Sequence, residues 1–124
     1  MVKPLRKRRF PLVSDAGGVW SFVHVADAAA ATVAAIEHGA AGVYHVVDDE
    51  PAPVREWLPA LARALHARSP RHLPPWLGRL AAGEAATLMI TDVRGASNRK
   101  TKRELGWEPQ HPSWRTGFAE AVRA

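Results

Sequence analysis

Residues 20–27 have the sequence Trp-Ser-Phe-Val-His-Val-Ala-Asp, and this stretch decides the fold class. β-Branched and aromatic residues dominate its first part, which predicts a short strand at about 20–25 that is covered on both faces. Asp27 can accept hydrogen bonds from the free N–H groups at the start of a helix, and an alanine-rich segment, 28–38, follows it. The sequence therefore predicts a strand that leads directly into a helix.

A second apolar stretch, Gly42-Val-Tyr-His-Val-Val47, follows this helix. Its nearly continuous apolar character predicts a parallel strand at about 43–47, so that strand, helix and strand form a βαβ unit. Two short strands do not make a stable sheet with both faces covered. We therefore expect an α/β fold with an incomplete sheet, which is part of a larger sheet or is completed by a partner.

Helical patterns occupy most of the remaining chain, and four to five helices are expected in all. Capping residues and helix-ending glycines mark several of their boundaries. The predicted segments are 54–67, 76–90, a short helix that Ser97 or Asn98 caps and Gly106 ends, and a last helix after Ser113.

The positive charge of the chain is concentrated at its start. Of the 17 basic residues, five lie within residues 1–9, and the other 12 are balanced by 12 acidic residues. Residues 1–9 are therefore a basic arm ahead of a neutral region, 10–124. Such an arm is either a solvated start or a weak contact for the phosphates of a nucleic acid, an alternative that the neutral charge of the rest fits poorly.

Composition excludes several classes of protein. The chain has no cysteine, which rules out disulfides, thiol catalysis and thiolate metal sites. No apolar run is long enough to span a membrane, and no apolar segment of a secretory signal follows the basic start. A soluble cytoplasmic protein is the expectation.

Motifs for nucleotide binding and catalysis are missing from the sequence. Gly78 and Gly83 have the spacing of a phosphate-binding loop, but Glu84 and Ala85 stand where a lysine and a hydroxyl residue are needed. There is no Gly-x-Gly-x-x-Gly, no Tyr-x-x-x-Lys and no histidine spacing that is typical of a metal site. We therefore predict no catalytic, cofactor-binding or metal-binding residue in this chain.

Three segments in a fixed order resemble one known family. They are Ser21-Phe-Val-His-Val-Ala-Asp27, Gly42-Val-Tyr-His-Val-Val47 and Ser97-Asn-Arg-Lys-Thr-Lys-Arg-Glu-Leu-Gly-Trp-Glu-Pro109. The set resembles the C-terminal half of the NAD-dependent epimerase/dehydratase family, the extended short-chain dehydrogenase/reductases, from about Phe10 to the end. The ending Pro112-Ser-Trp-Arg-Thr-Gly-Phe118 is similar to a bacterial subgroup of oxidoreductase-like members.

The resemblance implies a Rossmann domain that precedes the similar region and carries the glycine-rich loop and the Tyr-x-x-x-Lys. Residues 10–124 would then be the substrate-binding portion of a fragment whose full-length relatives move a hydride between NAD or NADP and a small-molecule substrate. We expect the chain alone to bind no cofactor and to be inactive, and to pair with a Rossmann-domain partner or with itself. The alternative is a non-enzymatic binding or assembly module that pairs its open sheet edge with another chain.

One departure from the family bears on the substrate. Family members that act on nucleotide sugars commonly have an arginine two residues before the aromatic residue of the Phe-Val-His strand, where it meets a phosphate. Trp20 occupies this position, and an indole does not pair with a phosphate. An apolar or aromatic carbonyl or alcohol compound is therefore expected, with Arg94 as an open anion contact. The candidate substrate-binding residues are Trp20, Phe22, His24, Trp76, Arg94 and Asn98; for His24 and the tryptophans a core position is the alternative, and for Arg94 a solvated one.

Overall fold

The computed structural model describes residues 11–123, which form six helices and a small, incomplete set of strand pairs. The strands are β1 (Leu12–Val13), β2 (Val19–Trp20), β3 (Ala52–Pro53) and β4 (His72–Leu73). The helices are α1 (Val25–His38), α2 (Val54–Ala64), α3 (Pro75–Ala82), α4 (Glu84–Thr91), α5 (Arg99–Leu105) and α6 (Trp114–Arg123). The predicted α/β class is confirmed, and the predicted basic arm, 1–9, lies outside the described residues.

The strands pair two by two. β1 and β4 are parallel, with Leu12 opposite His72, while β2 and β3 are antiparallel, with Trp20 opposite Ala52. The strand predicted at 20–25 is therefore confined to β2. Continued antiparallel pairing would place Phe22 opposite Glu50, but the carbonyl oxygen of Phe22 instead accepts the N–H of Asp48 over 2.7 Å, so the ladder does not continue in register.

Residues 43–47, which the sequence predicts as a strand, form none in the described part of the chain. Their alternate carbonyl groups accept hydrogen bonds from side chains at the start of α5. Lys100 donates to the oxygen of Val43 over 2.9 Å, and Thr101 donates to the oxygen of His45 over 2.7 Å. A ladder needs a neighbouring backbone, and here side chains occupy one edge of the segment instead.

Helix α1 begins three residues earlier than its sequence suggests, at Val25. His24 is its N-cap, and the ring Nδ1 accepts a hydrogen bond from the N–H of Ala26 over 3.3 Å. Asp27, predicted as the cap, is buried in the first turn and accepts the backbone N–H groups of Gln110 and His111, each over 2.9 Å. Asp27 therefore ties the loop before α6 to α1.

The helix predicted at 76–90 is divided into α3 and α4. Gly83 separates them with a φ of +83°, a conformation that residues with a side chain rarely adopt. The two helices pack against each other as a hairpin, and α4 also contacts β1.

Two groups of buried side chains hold the fold together. The larger is centred on the fully buried Trp57 of α2 and includes residues of β1, α4 and α6. The smaller contains Ala31, Leu105 and Trp107, with Tyr44 packed against it, and joins α1 to α5. Within residues 11–123, no helix is long and apolar enough to cross a membrane.

Candidate functional site

Two clefts lie beside the aromatic residues of the larger core. The first, the Trp20–Arg94 cleft, has a volume of about 300 Å³ and includes Val19, Trp20, Met89, Arg94, Gly95 and Ala96 in its lining. It therefore brings together two of the six residues that the sequence marks as candidates for substrate binding.

The Trp20 side chain is held in position by one hydrogen bond and one aromatic contact. The indole Nε1 donates a hydrogen bond to the carbonyl oxygen of Met89 over 2.7 Å. The ring centroid lies 4.9 Å from that of Trp57, at an interplanar angle of 42°. Because its N–H is already bonded and its ring rests on a buried indole, Trp20 offers the cleft a positioned apolar face.

The segment that carries Arg94 is tied to β2 by backbone hydrogen bonds. Val19 donates its N–H to the oxygen of Val93 over 2.6 Å, and Gly95 donates its N–H to the oxygen of Val19 over 2.8 Å. A Cβ at Gly95 would lie 2.9 Å from the Val19 side chain, and the φ of +48° also favours glycine. Arg94 is exposed and forms no ion pair with any carboxylate among the described residues.

The second cleft, the His24–His111 cleft, also has a volume of about 300 Å³. Its lining includes Phe22, His24, Asp48, His111, Trp114 and Phe118. The two histidine rings stack with centroids 3.8 Å apart at 22°, and Nδ1 of His111 lies 3.1 Å from the Asp27 carboxylate. Phe22 and Phe118 meet edge to face at 5.3 Å. Phe22 and His24, both predicted as substrate-binding residues, therefore lie in this cleft and not beside Arg94.

Asp48 is the buried acid of the second cleft, with only 3% of its surface exposed. Its Oδ1 accepts the N–H of Glu50 over 3.3 Å. Burial raises the pKa of Asp48 to about 6, against the lowering effect of backbone N–H groups at Glu50 and Trp114, and the charges of Glu50 and Asp49 raise it further. Sequence reasoning missed Asp48 and His111; the acidic run after the apolar segment 43–47 was the available signal for Asp48.

The two remaining candidates lie in neither cleft. Trp76 is on α3 and is 68% exposed. Asn98 is buried, and its Nδ2 donates to the oxygen of Val47 over 2.9 Å and to the carboxylate of Asp49 over 2.6 Å. Asn98 thus holds the turn after residues 43–47 to the start of α5.

Residues 11–123 do not provide the cradle of a nicotinamide dinucleotide. A dinucleotide needs a strand that leads through a glycine-rich turn into a helix whose N–H groups meet the pyrophosphate. β3 leads into α2 at Pro53, which lacks an N–H, so this junction offers no cradle. Over residues 11–123, no group of three histidine, aspartate or glutamate side chains is placed to hold a metal ion.

Comparison with known proteins connects the chain to reductases and sugar-nucleotide enzymes. No family model matches it. A protein from Streptomyces sp., "3-diazoavenalumate denitrifying reductase", is 50% identical over 110 residues, which is 89% of this chain and 36% of that protein.

Solved structures share the fold over nearly the whole chain. The dTDP-glucose 4,6-dehydratase DesIV from Streptomyces venezuelae, solved with NAD and TYD, is 27% identical with a TM-score of 0.68, over 98% of this chain and 35% of that one. The chain thus shares its fold with part of the proteins of the NAD-dependent epimerase/dehydratase family. Another structure with this fold is the human epimerase family protein SDR39U1 with NADPH, at 21% identity and a TM-score of 0.77, over 99% of this chain and 42% of that one.

This shared fold confirms the resemblance found in the sequence motifs. The chain spans little more than a third of the length of two of the proteins it matches, 36% of the reductase and 35% of the dehydratase. The incomplete strand pairs are therefore part of a fold that is larger in these relatives.

Proposed function

We propose that this chain is the substrate-binding part of an NAD(P)-dependent reductase, and that the Trp20–Arg94 cleft binds the substrate. The observation that carries the proposal is the fixed Trp20 ring in one cleft with an arginine that has no acidic partner among the described residues. An aromatic compound can stack on the indole while the guanidinium of Arg94 pairs with an anionic group on the same molecule. The named reductase from Streptomyces supports reduction as the type of reaction.

Residues of another domain would hold the nicotinamide, whose chemistry is hydride transfer, since residues 11–123 offer no cradle for it. What the chain contributes is binding and orientation. Trp20 would set the plane of the substrate, and Arg94 would set the end that carries the charge. Holding a substrate in one orientation is a major part of catalysis, even where the reacting group belongs to another domain.

We further propose that an exposed apolar face of α1 contacts the nucleotide-binding domain. Val25, Val33 and Ile36 lie on one side of the helix and are 79%, 54% and 81% exposed. Val43, at the start of the unpaired segment 43–47, is 73% exposed. A helix face and a backbone edge of this kind are typical of surfaces that another domain covers. By itself, the chain would then be catalytically silent.

A non-enzymatic assembly module is the second candidate, because the same face of α1 supports it. The two candidates differ in the Trp20–Arg94 cleft, which only the enzyme needs. A weak nucleic-acid contact through residues 1–9 has no support from the described part of the chain.

The cleft is tested by calorimetric titration of the chain with two matched alcohols. 4-(Hydroxymethyl)benzoate carries an anionic group, and benzyl alcohol is its neutral counterpart. We expect the benzoate to bind more tightly, Arg94→Gln to remove that preference, and Trp20→Ala to weaken both ligands. Trp76→Ala, at an exposed position outside the cleft, is the control and should change the affinity for neither alcohol. Equal binding of both alcohols to the unmodified chain would contradict the proposal.

A further inference from the structure

The His24–His111 cleft shares no lining residue with the Trp20–Arg94 cleft. Its walls are aromatic: Phe22 lies 5.3 Å from Phe118 and 6.4 Å from Trp114, centroid to centroid. Gly117 completes the α6 side, and a Cβ there would meet no atom within 4 Å. The aromatic rings and the open space at Gly117 leave room for a single aromatic ring in a volume of about 300 Å³.

The charges around this cleft leave one acid without a cation. Asp49 pairs with Lys102 at 2.9 Å, and Glu50 pairs with Arg115 at 2.6 Å. Asp48, which directly precedes them in sequence, forms no ion pair with any described residue, although it is the most buried of the three. A buried carboxylate without a cation carries a desolvation cost that backbone N–H groups offset only in part, and a bound cation that pairs with it directly lowers that cost further.

The histidines at the rim have other partners. His111 is within 3.1 Å of Asp27 and 3.5 Å of Glu120, and His24 caps α1. His24 and His111 line the cleft on the α1 side. Asp48 and Ser113 line it on the side of the 43–50 segment. The cleft therefore combines aromatic walls with a carboxylate that accepts backbone N–H groups but has no cationic partner within residues 11–123.

We propose that the His24–His111 cleft binds an aromatic amine, with its ammonium group at the Asp48 carboxylate and its ring among Phe22, Trp114 and Phe118. This site is separate from the proposed substrate cleft and does not depend on it. A ring contributes apolar contact area and edge-to-face packing, and the ammonium contributes a charge-assisted hydrogen bond.

The probe is 2-phenylethylamine, compared with 2-phenylethanol and 3-phenylpropionate, which have the same ring and a neutral or anionic end. Calorimetric titrations at pH 8 keep Asp48 ionised, because its pKa is about 6. We expect the amine to bind at least tenfold more tightly than the alcohol, by the strength of a buried charge-assisted bond, and the propionate not to bind. Binding of the amine no tighter than the alcohol, or no binding at millimolar concentration, would overturn the proposal.

Substitutions at two positions locate the site. Gly117→Leu fills the open space on α6 and should abolish amine binding, whereas Gly117→Ala adds only a methyl group and should retain it. Asp48→Asn should cost the amine at least tenfold and leave the affinity for the alcohol unchanged. Thermal unfolding of each variant confirms that it is folded. Full amine affinity in a folded Gly117→Leu chain would show that the ligand binds elsewhere and would overturn the proposal.

Discussion

The carboxylate of Asp27, in the first turn of α1, accepts the backbone N–H of His111 over 2.9 Å and lies 3.1 Å from the ring Nδ1 of the same residue. Burial by itself raises the pKa of Asp27, but the N–H groups of Gln110 and His111 and the imidazole outweigh it and leave the pKa lowered. One side chain thus positions the loop that leads into α6 and borders the His24–His111 cleft.

We expect Asp27→Ala to destabilise the chain by about 2–3 kcal/mol, because it leaves two backbone N–H groups without their acceptor. The amide oxygen in Asp27→Asn can still accept one of these bonds. Its free energy of unfolding should therefore lie between those of the unmodified chain and Asp27→Ala. Denaturant unfolding measures both. Since the folded pKa is lowered, the stabilisation is complete above the ordinary value of 3.8 and is lost as the pH falls through the folded value. A variant as stable as the unmodified chain would contradict the structural role of Asp27.

Asp48 has the opposite pH dependence. Its folded pKa is raised from 3.8 to about 6, so the folded chain holds a proton that the unfolded chain has already released. Stability should therefore fall as the pH rises from about 4 to about 6, by on the order of 2–3 kcal/mol from this group. Thermal unfolding across this range should show the decline in the unmodified chain and a flatter profile in Asp48→Asn. Identical profiles would mean that Asp48 does not carry the effect.

The proposed docking face of α1 is tested by a matched pair of charge substitutions. Ile36→Asp places a charge in the centre of the face, and Ala30→Asp places the same charge on another exposed part of the helix. Each should change the stability of the isolated chain by no more than about 0.5 kcal/mol, because both positions are exposed. Light scattering should show that only Ile36→Asp reduces self-association or binding to a nucleotide-binding domain. Equal effects of the two substitutions on association would contradict the proposal that this face of α1 is a docking surface.

Nicotinamide binding should be absent in the chain by itself. The sequence has no glycine-rich loop, and the junction of β3 and α2 offers no cradle of N–H groups. Calorimetric titration with NAD, NADH, NADP and NADPH should therefore give no heat of binding. A micromolar dissociation constant for any of the four would contradict this expectation.

Local signals in the sequence predict much of the helical part of the fold. Gly106 ends α5 in the left-handed conformation, with a φ of +60°, as its place after Leu105 predicts. The break at Gly83 carried a similar signal, but the apolar composition on both sides favoured one long helix. Residues 43–47 have the composition of a buried strand, whereas a strand also needs a partner, and composition does not say where that partner is.

The clefts depend on contacts between distant parts of the chain. Trp20 and Arg94 are both candidates from the sequence, but they meet because Val19 forms a bridge with Arg94, and no local pattern predicts that pairing. In the same way, His111 reaches the cleft through its bonds to Asp27, 84 residues earlier. Phe22 and His24 were predicted as parts of one substrate site with Arg94, and the structure places them in a second cleft.

Combining this chain with a nucleotide-binding domain tests directly whether the chain is the substrate-binding part of a reductase. The region of the Streptomyces reductase that this chain does not match would be produced as a separate protein, and NADPH oxidation would be measured with 4-carboxybenzaldehyde as the acceptor. We expect each protein alone to be inactive and the mixture to oxidise NADPH, with the activity lost in Ile36→Asp and kept in Ala30→Asp. NADPH oxidation by this chain alone, or a mixture that forms no complex, would contradict the claim that it is the substrate-binding part of a reductase.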